Sequence, residues 1–127
     1  MLTLPSSVRI YLASEPTDMR KGFDGLCRLV EESLGHDIYE GHLFVFVSRR
    51  QDRVKVLMWE RGGFVLYYKR LERGRFRLPA VGKGATCIRL AGPQLAMLLD
   101  GIDVSRVRKP THWQPNRTKR IDRTAQI

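Results

Sequence analysis

Cysteine is scarce in this chain: Cys27 and Cys87 stand alone, sixty positions apart, with no CxxC pair. A disulfide framework and a zinc ribbon are therefore not expected, because a zinc site needs several ligands held close together. Both thiols are expected to be buried and reduced. Long apolar runs are also missing, so neither a membrane span nor a secretory leader is expected, and a cytoplasmic location is the default. Catalytic signatures are equally thin. None of Ser6, Ser7, Ser14, Ser33, Ser48 and Ser105 sits in a GxSxG elbow. His36, His42 and His112 have no acid or nucleophile at local spacing. Gly82-Lys83-Gly84-Ala85-Thr86 lacks the GxxxxGK[ST] spacing of a phosphate loop. The expectation is a non-catalytic protein without a metal or cofactor.

Positive charge is abundant, and it is segregated. The net charge is +10 over 127 residues. Residues 1–48 carry four bases and seven acids, residues 49–77 ten bases and three acids. Residues 78–104 balance, and residues 105–127 carry seven bases and one acid. Scattered charge would serve solubility alone. Two blocks on a neutral frame suggest a polyanionic partner.

Periodicity outlines the fold. Val8 to Ala13 reads as a short strand. Pro16-Thr17-Asp18 is a helix-start signal with Thr17 or Asp18 as cap, and Met19, Phe23, Leu26, Cys27, Val30 and Leu34 follow at helical spacing. Gly35 is a stop, which predicts a helix over 18–34. Leu43 to Ser48, Val54 to Trp59 and Phe64 to Leu71 read as strands, with Gly62-Gly63 supplying positive φ to a hairpin. Arg75-Phe76-Arg77-Leu78 alternates like a further strand, and Cys87 to Leu90 like another. Pro93 opens a short helix with Leu95, Leu98 and Leu99 on one face. The expected fold is α+β: an antiparallel β-meander packed against one main helix, with a short second helix. Residues 1–104 form a single domain, and residues 105–127 a basic, flexible tail too poor in aliphatics to fold alone.

Three sets of cations are candidates for nucleic-acid contact. Arg20 and Lys21 fall in the expected first helical turn, where the dipole disfavours cations, and Gly22 and Gly25 interrupt the same pattern. A phosphate site at that helix start is one reading; close packing at Gly22, with Asp24 pairing Arg28 and Lys21, is the other. Arg49, Arg50, Arg53, Lys55, Lys69, Arg70, Arg73, Arg75 and Arg77 interleave with Tyr67 and Tyr68 on the strands and turns. Such a pattern tracks phosphates and stacks bases, or forms an ordinary solvated sheet face. Arg108, Lys109, Arg117, Lys119 and Arg120 lie in the tail, with Trp113 among them.

The run Pro16-Thr17-Asp18-Met19-Arg20-Lys21-Gly22-Phe23-Asp24-Gly25-Leu26 resembles the opening signature of the TnpB-type accessory proteins of bacterial insertion-sequence family sixty-six. These are second-frame products, distinct from the RNA-guided nuclease that shares the TnpB name. Gly41-His42-Leu43-Phe44-Val45-Phe46, Arg49-Arg50, Lys55-Val56-Leu57 with Trp59, Gly63-Phe64, Tyr68-Lys69-Arg70-Leu71-Glu72, Gly74-Arg75-Phe76 and Gln94-Leu95 through Asp103 continue the similarity in order. It covers residues 8–104. The chain departs from the pattern at Ile38-Tyr39, where Pro-Phe is usual, and at Leu78, where a Trp usually precedes the proline. The resemblance implies an accessory role in transposition; the segregated positive charge makes DNA the expected partner, and an adaptor that docks on the transposase without touching DNA is the alternative. The transposase and the first-frame protein of the same element are the candidate protein partners. Arg20, Lys21, Lys69, Arg70 and Arg75 match both the family pattern and the basic sets.

Overall fold

The computed structural model describes residues 7–100. The expected tail, its five candidate cations and the domain boundary at 104 lie outside those residues. Five strands form one sheet: β1 (Ile10–Ala13), β2 (Leu43–Val47), β3 (Arg53–Glu60), β4 (Gly63–Arg70) and β5 (Cys87–Leu90), in the order β4-β3-β2-β1-β5. The antiparallel meander runs through β2, β3 and β4. β1 lies parallel to β2, with Ile10 opposite Leu43, and β5 closes the other side antiparallel to β1. A parallel pair needs a crossover, and the helical segment between β1 and β2 supplies it. The fold is α+β, as expected.

That crossover starts later than its sequence suggests. Helix α1 spans Phe23–Arg28 and runs on as a wider, π-type stretch over Leu29–Leu34. Gly35 ends it at φ 71, in the left-handed region that favours glycine. Residues 18–22 form a turn instead of the first helical turn. Two competing bonds explain why. The Thr17 N–H donates to Val47 O at 2.9 Å, and the Asp18 carboxylate accepts the Arg20 N–H at 2.9 Å. The apparent cap thus serves a turn, and Arg20 and Lys21 precede the helix instead of lying in its first turn.

The sheet is covered on both faces, not one. Tyr11, Ala13, Phe44, Phe46 and Leu57 pack beneath Leu26 and Val30 of α1 and its extension. On the opposite face Ile10, Leu12, Leu43, Val45, Val47, Val54 and Val56 pack against Leu95, Leu98 and Leu99 of helix α2 (Gly92–Leu99) and against Phe76. β2 is therefore buried along its whole length, which is why it reads as an unbroken apolar run. Burying one such phenylalanine contributes about 2–3 kcal/mol, and Phe44, Phe46 and Phe76 are all fully enclosed.

Two further local expectations need correction. Residues 75–78 form no strand; their alternation reflects one buried ring, Phe76, in an irregular segment whose backbone bonds to Gln51 O at 2.6 Å. The hairpin turn is Arg61-Gly62, with φ of 45 and 85, and Gly63 already pairs with Glu60. Both central residues have positive φ, as a two-residue turn of this twist requires.

Candidate nucleic-acid interface

Backbone bonds gather three segments at one end of the sheet, where β2 ends and β3 begins. The 17–21 turn is fixed there by Thr17 and by Lys55, whose ammonium donates to Met19 O at 2.8 Å and Lys21 O at 2.7 Å. The 48–53 turn folds around Ser48, whose Oγ accepts the N–H groups of Asp52 at 3.3 Å and Arg53 at 3.1 Å. The chain after β4 joins them through Leu71 N–H to Asp52 O at 2.7 Å and Phe76 N–H to Gln51 O.

These segments carry Arg20, Lys21, Arg49, Arg50, Arg53, Arg70, Arg73, Arg75 and Arg77, against Asp18, Asp52 and Glu72. All nine cations except Arg53 are exposed. Arg20 is held by Asp18 at 2.8 Å and Arg70 by Glu72 at 3.1 Å. Among the described residues Lys21, Arg49 and Arg50 form no ion pair. The Arg20 guanidinium, through its hydrogen bonds, holds the Asp18 carboxyl down at about 2. A concavity of about 370 Å³ opens between the 17–20 turn and the 48–53 turn, lined by Arg20, Arg49, Arg50 and Arg53. Arg53 is half-buried there, with its Nε shielded from solvent and unpartnered. Arg53 also stands directly opposite Arg70 across the β3–β4 ladder. Like charges facing each other cost stability, a local conflict of the kind that marks functional surfaces.

Two candidate cations are engaged elsewhere. Lys55 was expected on a phosphate-facing strand surface, but it is only 6% exposed and its ammonium is spent on the 19–21 carbonyls. Its neighbour Tyr68 covers it, with the ring centroid 4.6 Å from Nζ. Lys69 points to the other face and donates to Leu99 O at the end of α2. Both tie elements together. Arg61 sits at the far end of the β3–β4 hairpin, roughly 25 Å away at the rise of a strand. The charge is thus a pole at one sheet end, not a basic sheet face.

Gly22, expected at a close helix–sheet contact, has open space where a Cβ would go. The tight approach is at Gly25, where a Cβ would meet the Lys21 Cβ at 3.2 Å. Asp24 pairs with neither Lys21 nor Arg28. Both thiols are half-buried, short of the full burial expected. Burial, with Asp24 and Glu31 nearby, pushes the Cys27 thiol up. The Cys87 Sγ lies 3.6 Å from His36 Nε2, a pairing invisible at a separation of 51 residues. A second concavity, about 400 Å³, contains Ser14, but its hydroxyl donates to Ala85 O and Thr86 O. Among the described residues no three His, Cys, Asp or Glu side chains cluster as metal ligands, and no helix is long and apolar enough to cross a membrane.

The cationic pole is built from the very segments that carry the sequence signature, and residues 8–109 match the family described as IS66 Orf2 like protein. The chain belongs to that family. It is similar to the uncharacterized protein y4jC of Sinorhizobium fredii (strain NBRC 101917 / NGR234), 36% identical over 110 residues covering 87% of this chain and 92% of that one. It is also similar to the uncharacterized protein y4hO of the same strain, 39% identical over 117 residues covering 92% and 98%. No solved structure matches the chain. Membership of the IS66 Orf2-like family sets the protein in a bacterial insertion sequence, in an accessory role. Every cation of the pole falls within the matched span, as do Arg108 and Lys109; Arg117, Lys119 and Arg120 lie beyond it.

Proposed function

We propose that this IS66 Orf2-like protein acts in transposition by binding DNA through the cationic pole at the β2–β3 end of its sheet. One observation carries the reading: three segments distant in sequence converge to place nine cations at one end of the sheet, four of them lining a single concavity, and among the described residues Arg49 and Arg50 there lack carboxylate partners. Phosphate contacts of this kind grip the backbone and orient a protein on DNA without reading sequence. The basic stretch 105–127 follows the described residues in sequence and carries seven bases against one acid. That stretch adds phosphate contacts to those of the pole.

The test is fluorescence anisotropy with a labelled element-end duplex and a scrambled duplex across a salt series. Binding that weakens steeply with salt supports the reading, since the log–log slope is about 0.9 per phosphate neutralised. A preference for the element end makes the protein a sequence reader. No binding at low salt overturns it.

A second reading has its own observation. Phe23, at the start of α1, is 46% exposed, a large apolar side chain left uncovered beside the signature turn. It supports an adaptor that docks on the transposase or the first-frame protein through the 18–34 region. Co-purification of the transposase that survives nuclease treatment favours the adaptor; loss of the partner on nuclease treatment identifies DNA as the bridge.

A further inference from the structure

We infer that Tyr68 is a stacking platform for an unpaired base, so that the cationic pole takes single-stranded DNA in preference to an intact duplex. The inference rests on the DNA-binding reading above and names the form of DNA. Among the described residues β4 is an edge strand, with no further strand on its flank. Alternation along it puts Tyr68 and Arg70 on the same face, and Lys55 and Arg53 are their respective cross-strand partners. The ring therefore sits within the arginine cluster, one strand pair from Arg53 and Arg70.

Its setting is unusual for a surface tyrosine. One side of the ring is occupied by the Lys55 ammonium, 4.6 Å from the centroid. That ammonium is itself anchored on two carbonyls, so the ring rests on a fixed support instead of a mobile chain. Even so, Tyr68 is 51% exposed. A flat ring, held from beneath and with Arg53 and Arg70 next along the same sheet face, matches the two demands of an unpaired nucleotide: a π-face for the base and cations for the flanking phosphates. A stacked base pair in a duplex offers neither of its faces to such a ring.

The experiment compares wild type, Tyr68→Leu and Tyr68→Phe against labelled oligo(dT) and a duplex of equal length, at one fixed salt concentration. Wild type and Tyr68→Phe, which keeps the ring, bind oligo(dT) more tightly than the duplex. Tyr68→Leu loses about 10-fold in affinity for oligo(dT), the scale of one base–aromatic stack, while duplex binding stays within about 2-fold. Equal losses on both ligands, or no loss on either, overturn the inference and leave the DNA-binding reading standing. No binding of wild type to either ligand overturns both. Ultraviolet cross-linking of oligo(dT) to the wild-type protein, mapped by peptide mass, is independent of how the variants fold. An adduct at Tyr68 is expected; adducts confined to other residues contradict the platform.

Discussion

Replacing Lys55 with methionine separates the two roles a lysine can have in a basic protein. The side chain is 6% exposed, and its ammonium donates to Met19 O at 2.8 Å and Lys21 O at 2.7 Å. Hydrogen bonds from a charged donor contribute about 1.5–3 kcal/mol each, and methionine removes both while leaving two carbonyls without that donor. Against this, burying the ammonium carries a desolvation penalty of several kcal/mol, which methionine relieves. Methionine also keeps most of the stem's packing. The opposing terms leave a net loss of about 2 kcal/mol. For a domain of this size that lowers Tm by roughly 10 °C. Thermal denaturation followed by circular dichroism reads the first effect, and DNA binding across salt reads the second. Affinity falls because the turn holding Arg20 and Lys21 loses its anchor, yet the log–log salt slope stays within about 0.5 of wild type, since no phosphate contact is lost. An unchanged Tm with a slope reduced by about 0.9 would show that Lys55 touches phosphate and would refute the reasoning.

The Asp18 carboxyl, held at about 2 by Arg20 against an ordinary value of 3.8, should titrate in nuclear magnetic resonance with that low midpoint. Its pairing contribution is complete above the ordinary value and is lost as pH falls through about 2; a midpoint near 3.8 would mean the pair does not form in solution. Asp18→Asn removes a negative charge and frees Arg20, so DNA affinity should rise, and a fall would count against Arg20 as a phosphate contact. Phe76→Ala should cost about 3–5 kcal/mol in denaturant unfolding, because the ring is fully buried beside α2; a cost below about 1 kcal/mol would contradict that packing. Arg61→Asn should stabilise by about 1 kcal/mol, since asparagine accepts the φ of 45 that arginine tolerates poorly; unchanged stability would argue against a strained turn.

The strands were legible because their burial matches their pattern. β2 is enclosed on both faces and reads as a continuous apolar run, while β3 and β4 sit on either side of a positive-φ turn. Gly35 marked the end of the helical crossover correctly because a left-handed residue is needed there. The start at Asp18 misled for a physical reason. Thr17 and Asp18 have capping chemistry, but the Asp18 carboxylate accepts the Arg20 N–H within a turn, and the Thr17 backbone N–H is tied to Val47 of β2. Phe76 misled in the same way, since one inward ring between two outward arginines mimics a strand's alternation. The parallel β1–β2 pair, the Lys55 anchor and the Lys69 link to α2 depend on partners far away in sequence, and no local pattern carries them. The cations themselves were visible from composition. Their convergence on one end of the sheet was not, because it is fixed by backbone bonds between segments 17–21, 47–53 and 71–76.

The salt dependence of DNA affinity, measured side by side for the wild-type protein and the Arg49→Ala/Arg50→Ala double variant, tests the proposed role of the pole most directly. Both arginines are exposed and sit on a surface turn, so the fold should be unaffected within about 0.5 kcal/mol. If each meets a phosphate, the double variant binds more weakly and its log–log slope is shallower by about 1.8. Identical affinities and slopes for the two proteins, or no binding by the wild type at low salt, would contradict the account.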